Sequence, residues 1–195
     1  VSGFIRLYAP YDSLGKNEFF WLSLTHELLH RASVRIYEAN MLAGRVGMSF
    51  AKNDRKQVGL WLNEAVVEKA AEESLRSMIG WWRYWSAFDG QPKPYERNVR
   101  ALDMLIEVIY RQTGYSKGYI WDQFKRATFG SGSALPIARL IEEGLGSGSF
   151  RLLMDFDYSL KPQFISEKGW DYLRGALIIA RRDFNGVGGF MSRLK

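Results

Sequence analysis

Both histidines of the chain fall in one hexapeptide, Thr25-His26-Glu27-Leu28-Leu29-His30, within an apolar stretch. This spacing constrains the fold more than any other feature. Four residues of α-helix turn through about 400°, so two such side chains sit about 40° apart, one turn up. The pattern predicts a helix from an N-cap at Asn17 to about Asn40. On it Ser23, His26, His30, Ser33 and Tyr37 form one polar stripe. Phe19, Phe20, Leu22, Leu24, Leu28, Leu29, Val34 and Ile36 cover the other faces. The helix is therefore expected to be buried nearly all round, with the stripe flooring a cleft. A buried polar stripe needs partners, so another element must supply them.

The rest of the chain reads as one small sheet and several helices. Gly3–Ala9 alternates and ends before Pro10, which suits a short strand. Asn53-Asp54 suggests a hairpin, Val46–Ala51 out and Gln57–Trp61 back. A second long helix is expected from near Leu62 to about Trp85, favoured by Ala70, Ala71, Glu72, Glu73 and Leu75. After a loop at 89–94, helices are expected over Tyr95–Gln112, Tyr119–Thr128, Ala134–Glu143, Ser149–Phe156 and Ser166–Arg182. The fold class is α+β and mainly helical. One domain over residues 1–195 is expected, with 1–88 as the polar-site part and 89–195 as a helical subdomain.

Composition excludes several classes of function. Apolar residues make up 47% of the 195, which is ample for a packed core and argues against disorder. There is no cysteine, so disulfides, thiolate metal sites and thiol nucleophiles are excluded. No apolar run approaches the about 18 residues a membrane helix needs. The net charge of +6 is scattered without a basic run, which reads as a solvated surface rather than a nucleic-acid footprint.

The histidine pair carries the chemistry. Two imidazoles on one helix face can reach one metal ion, and Glu27, rotated about 100° from His26, flanks that ion as a general base. A core helix with two hydrogen-bonded histidines has the same pattern. Catalytic zinc takes three protein ligands and leaves one position open. No third histidine exists, and Ser33 and Ile36 depart from the extended metzincin motif, so a carboxylate must close the site. Glu64 is the best candidate. Glu64 and Glu68 share a face of a helix rich in apolar residues, where a buried carboxylate costs several kcal/mol unless a cation meets it. Glu38 and Asp54 are alternatives. Asn63-Glu64 also suits a plain helix N-terminus, with Asn as cap.

His26-Glu27-x-x-His30, followed downstream by Asn63-Glu64, resembles the gluzincin zinc metallopeptidases. The resemblance covers roughly residues 17–75. It implies a zincin-like fold with an edge strand, a hairpin, an active-site helix and a ligand helix. It implies Zn²⁺ held by His26, His30 and Glu64. It further implies that Glu68 orients one histidine and that Asn63 supports the other, which would fix tautomers. Peptidases of this kind add a Tyr or His for the oxyanion. Tyr37 is the candidate here, with Tyr84, Tyr110, Tyr115 and Tyr119 as looser ones. The expected activity is hydrolysis of a peptide or protein substrate, as an endopeptidase. An edge strand at Gly3–Ala9 would bind extended peptide by strand addition. Trp81, Trp82, Tyr84, Trp85 and Phe88 are expected to pack a helix end or to wall an apolar pocket. The alternative is a non-catalytic zinc-binding module for protein interaction.

Overall fold

A computed structural model of the chain describes residues 18–35, 45–53, 56–80, 88, 93, 95–130, 133–156 and 167–182. The elements run α1 (Glu18–Ser33), β1 (Val34–Arg35), β2 (Arg45–Val46), β3 (Ser49–Asn53), β4 (Lys56–Val58), α2 (Leu60–Ile79), α3 (Glu96–Thr113), α4 (Lys117–Phe129), α5 (Leu135–Leu145), α6 (Ser149–Asp155) and α7 (Glu167–Arg182). The described chain is mainly helical, as expected. Its strands form one antiparallel meander in the order β1-β2-β3-β4. The strand expected at Gly3–Ala9 and the aromatic residues at 81–85 lie outside the described residues. No helix among the described residues is long and apolar enough to cross a membrane.

The first helix stops at Ser33 rather than near Asn40. The Ser33 hydroxyl donates back to the His30 carbonyl at 2.8 Å, a local bond that competes with continued helix. Val34 then favours extended backbone. Val34 and Arg35 pair with Val46 and Arg45 as strand. The helix is also not buried all round. Its histidine stripe is the inward face, with Leu22, His26 and Ser33 buried, while Trp21 and Leu28 are exposed. The polar stripe turns inward because α2 offers carboxylates to meet it.

The hairpin predicted over 46–61 contains one turn more than expected. Gly47 and Met48 turn the chain between β2 and β3, and a second reversal joins β3 to β4, with Phe50 opposite Val58. Trp61 belongs to α2, which starts at Leu60 after Gly59. Asn63 is therefore inside the helix and does not cap it. Its Oδ1 accepts the Met48 N–H at 3.0 Å and so fastens the 47–48 turn to α2. Gly47 has φ +57°, and a Cβ there would run into that same oxygen. Its own N–H donates to the Ser33 carbonyl at 3.0 Å, which ties the turn to the end of α1.

Helix α2 is the centre of the molecule. It is buried from Trp61 through Glu68 and again at Ala70, Ala71, Glu72 and Leu75. Helix α1 packs on one side of it and α3 on another, and α3 in turn packs against α5 and α7. The main core joins Leu62 and Val66 of α2 to Leu102, Leu105 and Ile109 of α3, Phe124 of α4, Ile141 of α5 and Leu177 of α7. A smaller cluster of Leu22, Ala71, Leu75 and Phe88 lies under α1. Two buried side chains of the core pair with backbone carbonyls. The Trp61 indole N–H donates to the Leu153 carbonyl, and the Asn98 amide donates to the Trp61 carbonyl. On the solvent side of α3, Glu96–Arg100 and Glu107–Arg111 pairs support the helix one turn apart.

Two glycines with positive φ separate steric need from backbone preference. Gly114 ends α3 at φ +76° with nothing within 4 Å of a Cβ position. Gly114→Ala should cost about 1 kcal/mol, the strain of a left-handed alanine. Gly47→Ala meets that strain and also the Asn63 side chain, and should cost about 2–4 kcal/mol. Urea midpoints of the two variants check this; equal losses would mean that Asn63 does not crowd the turn.

Candidate metal centre

Helices α1 and α2 meet through polar side chains that neither helix could bury alone. His26 Nε2, His30 Nε2 and one Glu64 oxygen converge. Glu64 Oε2 lies 3.2 Å from His26 Nε2 and 3.0 Å from His30 Nε2, and the two imidazole nitrogens are 2.9 Å apart. His26 and Glu64 are buried at 5% and 7% exposure. The other ring nitrogen of His26, Nδ1, lies 2.7 Å from Glu68 Oε2. A carboxylate accepts, so Nδ1 carries the hydrogen and Nε2 of the neutral ring presents a lone pair to the centre. Three lone-pair-bearing atoms thus face one another in a site shielded from water. Such an arrangement requires a cation, either a proton or a metal.

Together His26, His30 and Glu64 form a group that could hold a metal ion. Zinc with four ligands at about 2.05 Å sets its ligand atoms about 3.3 Å apart. The observed separations of 2.9–3.2 Å need only slight opening to meet that. The donor set, two imidazoles and a carboxylate, is one that zinc accepts.

Electrostatics follow from burial and convergence. Burial pulls the His26 pKa down, but hydrogen bonds and charge from Glu64 and Glu68 outweigh it and raise it to about 9. Burial pushes Glu64 up, but the two histidines outweigh it and lower its pKa to about 2. Glu68 moves the other way. Burial raises it, with the charges of Glu72 and Glu64 adding, against one histidine contact rather than two. The second Glu68 oxygen, Oε1, is buried without a hydrogen bond.

Of the residues expected at the site, His26, His30, Glu64 and Glu68 come together. Glu27 is exposed on α1, and its charge reaches Tyr95. Asn63 is placed differently from the expectation. Its side-chain oxygen binds Met48 N–H, so its link to His30 runs through the 47–48 turn and Ser33. Tyr37 lies outside the described residues, as do Tyr84, Glu38 and Asp54, and the helix that was to carry Tyr37 ends at Ser33. Tyr110, Tyr115 and Tyr119 are exposed around the α3–α4 turn. Fourteen residues of helix, about 21 Å, separate Tyr110 from the start of α3 at Glu96.

Sequence reasoning missed Tyr95. It immediately precedes α3 and has φ 55°, the one positive-φ non-glycine residue among those described. Its ring stacks flat on His26, with centroids 5.1 Å apart and planes 4° from parallel. Its hydroxyl hydrogen-bonds Glu64, and burial with the charge of Glu64 holds the phenol protonated well beyond its ordinary range. A left-handed tyrosine costs about 1 kcal/mol and persists only where its surroundings impose it. No local signal in the sequence marks such a residue.

The chain matches no family model, no curated protein and no solved structure.

A proton and a metal ion would compete for His26. With a pKa of about 9, the ring is charged at neutral pH in the metal-free protein, so binding a divalent cation should release about one proton. Calorimetry in buffers of different ionisation enthalpy reads this number, and affinity should rise about tenfold per pH unit below 9. The stability of the metal-free protein follows from the same shifts. The raised His26 contributes fully below its unfolded pKa of 6.5 and loses that contribution as pH rises through 9. The lowered Glu64 contributes above its unfolded value of 4.5 and loses its contribution as pH falls toward 2. Metal-free stability should therefore be greatest between about pH 4.5 and 6.5, as measured by thermal midpoints in the presence of chelator.

Proposed function

We propose that the protein is a zinc-dependent metallopeptidase of gluzincin type. One observation carries the reading: three donor atoms of the kinds zinc accepts converge within 3.2 Å of one another, beside an exposed carboxylate at Glu27 and a half-buried phenol at Tyr95. His26, His30 and Glu64 would hold the metal, and Glu68 fixes the His26 tautomer by accepting from Nδ1. When bound, zinc supplies Lewis acidity, which polarises a substrate carbonyl and makes water a nucleophile near neutral pH. Glu27 takes a proton from the attacking water at its carboxylate and returns it to the leaving amine nitrogen. Its exposure suits this, because an acid–base group must reach substrate. The Tyr95 hydroxyl, protonated at any working pH, donates to the oxyanion that develops on the carbonyl. Burial of His26 and Glu64 keeps competing water from the ligand side.

A non-catalytic zinc module would use the same three ligands. It would not need an exposed glutamate beside them or a strained tyrosine against them, so these two residues favour catalysis. Removing metal from a structural site unfolds the protein, whereas removal from a catalytic site only inactivates it.

Elemental mass spectrometry should find about one zinc per chain in wild type and little in Glu64→Ala. Absence of zinc in wild type refolded with metal would overturn the reading. Glu27→Gln should keep its metal and lose about 10²–10⁴-fold in kcat on a peptide library. Tyr95→Phe should keep its metal and lose about 10²-fold. Glu68→Ala should weaken metal binding about 10–100-fold.

A further inference from the structure

Helix α2 presents buried glutamates at three successive turns, and their partners differ in kind. Glu64 faces both imidazoles and Glu68 faces one. Glu72 faces neither. One of its oxygens accepts from Arg76, and the other lies 3.4 Å from the Lys93 ammonium. Lys93 stands two residues before Tyr95, with its ammonium 5.6 Å from the Phe88 ring centre. Its backbone carbonyl accepts from the first amide of α3, Glu96 N–H, at 3.4 Å. In the sequence a proline stands on each side of Lys93, at 92 and 94, and proline removes backbone freedom from a segment. An anchor at Lys93 is therefore passed to Tyr95 with little slack.

Tyr95 is held at both sides of the left-handed turn. Its ring lies on His26 and its carbonyl accepts the Val99 N–H at 2.9 Å. The start of α3 is also tied to α2 near Glu64, by the Tyr95 hydroxyl on Glu64 and by the Asn98 amide on the Trp61 carbonyl. The Glu72–Lys93 pair adds a second fastening two turns of α2 away from Glu64, on the other side of Tyr95 in the chain. Glu72 keeps Arg76 as a partner when Lys93 is removed, so losing the lysine leaves no unpaired buried carboxylate.

We propose that the Glu72–Lys93 ion pair is a positioning device that fastens the segment before α3 to α2 and so holds the Tyr95 ring flat on His26. Lys93 and Glu72 are positioning residues that act through Tyr95. The consequence for turnover rests on the metallopeptidase reading above; the consequence for the Tyr95–His26 stack does not.

The test uses metal-free protein labelled with ¹⁵N-histidine, in which two histidines give two sets of imidazole signals. In wild type, cross-relaxation should connect the Tyr95 and His26 rings, and Tyr95→Leu should move the His26 ring protons downfield as ring-current shielding is lost. Lys93→Met, which keeps the apolar stem, should move them in the same direction and weaken the cross-relaxation. Lys93→Arg should restore both. The ring nitrogens report protonation separately from the ring protons, so a mere charge effect of losing Lys93 is told apart from a lost stack. If Lys93→Met leaves the His26 ring protons and the cross-relaxation at wild-type values, the proposal is overturned. If Lys93→Met does not fold, Glu72→Gln, which can still accept from Arg76, is read in the same way. In metal-loaded protein Lys93→Met should lower kcat about tenfold with KM and metal affinity nearly unchanged, the loss expected when a group acting only in the transition state is misplaced. A wild type that takes no metal would sink the peptidase reading while the stack measurement stands by itself.

Discussion

Three lone pairs aimed at one point between two helices set the character of the molecule. His26 Nε2, His30 Nε2 and Glu64 Oε2 cannot stay so close and so dry without a positive charge among them. That requirement explains why α1 turns its polar stripe inward and leaves Trp21 and Leu28 exposed. It also explains why α2, otherwise apolar and buried, tolerates carboxylates on one face.

The helical half serves this pair. Leu62 and Val66 of α2 join the core of α3, α4, α5 and α7, so α2 rests on a broad apolar base. A rigid base matters because a cluster of converging polar groups holds its geometry through packing. At the other end of the site, the 47–48 turn bonds both to Asn63 of α2 and to Ser33 at the end of α1. The short meander thereby links the two helices that carry the histidine–glutamate cluster. α2 then acts as a ruler, with Glu64, Glu68 and Glu72 a turn apart, the first two meeting the histidines of α1 and the third meeting Lys93.

His26, His30, Glu64 and Glu68 were legible in the chain because each pair lies four residues apart within one helix, where spacing converts directly into a shared face. The cost of burying a carboxylate then asked for a cationic partner, and the histidines were the place for it. The helices of the second half were legible for a similar reason, since apolar periodicity and glycine stops mark them. Placing Tyr37 on the histidine stripe depended on α1 continuing past Ser33, and a serine hydroxyl folded back on His30 together with strand pairing at Val34 ended the helix first; Tyr37 itself lies outside the described residues. Asn63 was expected to support a histidine, but a turn outside the motif claimed its oxygen.

The sequence by itself determined the spacing of the histidines and glutamates, the helical character of the chain and the lack of cysteine. These follow from local periodicity and residue type. Only the tertiary structure decided that the histidine stripe faces inward, that Asn63 binds the 47–48 turn, and that Tyr95 lies on His26. Each of these depends on contacts between segments far apart in the chain, and the last depends also on a left-handed residue held in place by its surroundings. Periodicity says which residues of one helix share a face; it carries no information about which distant loop will be packed against that face.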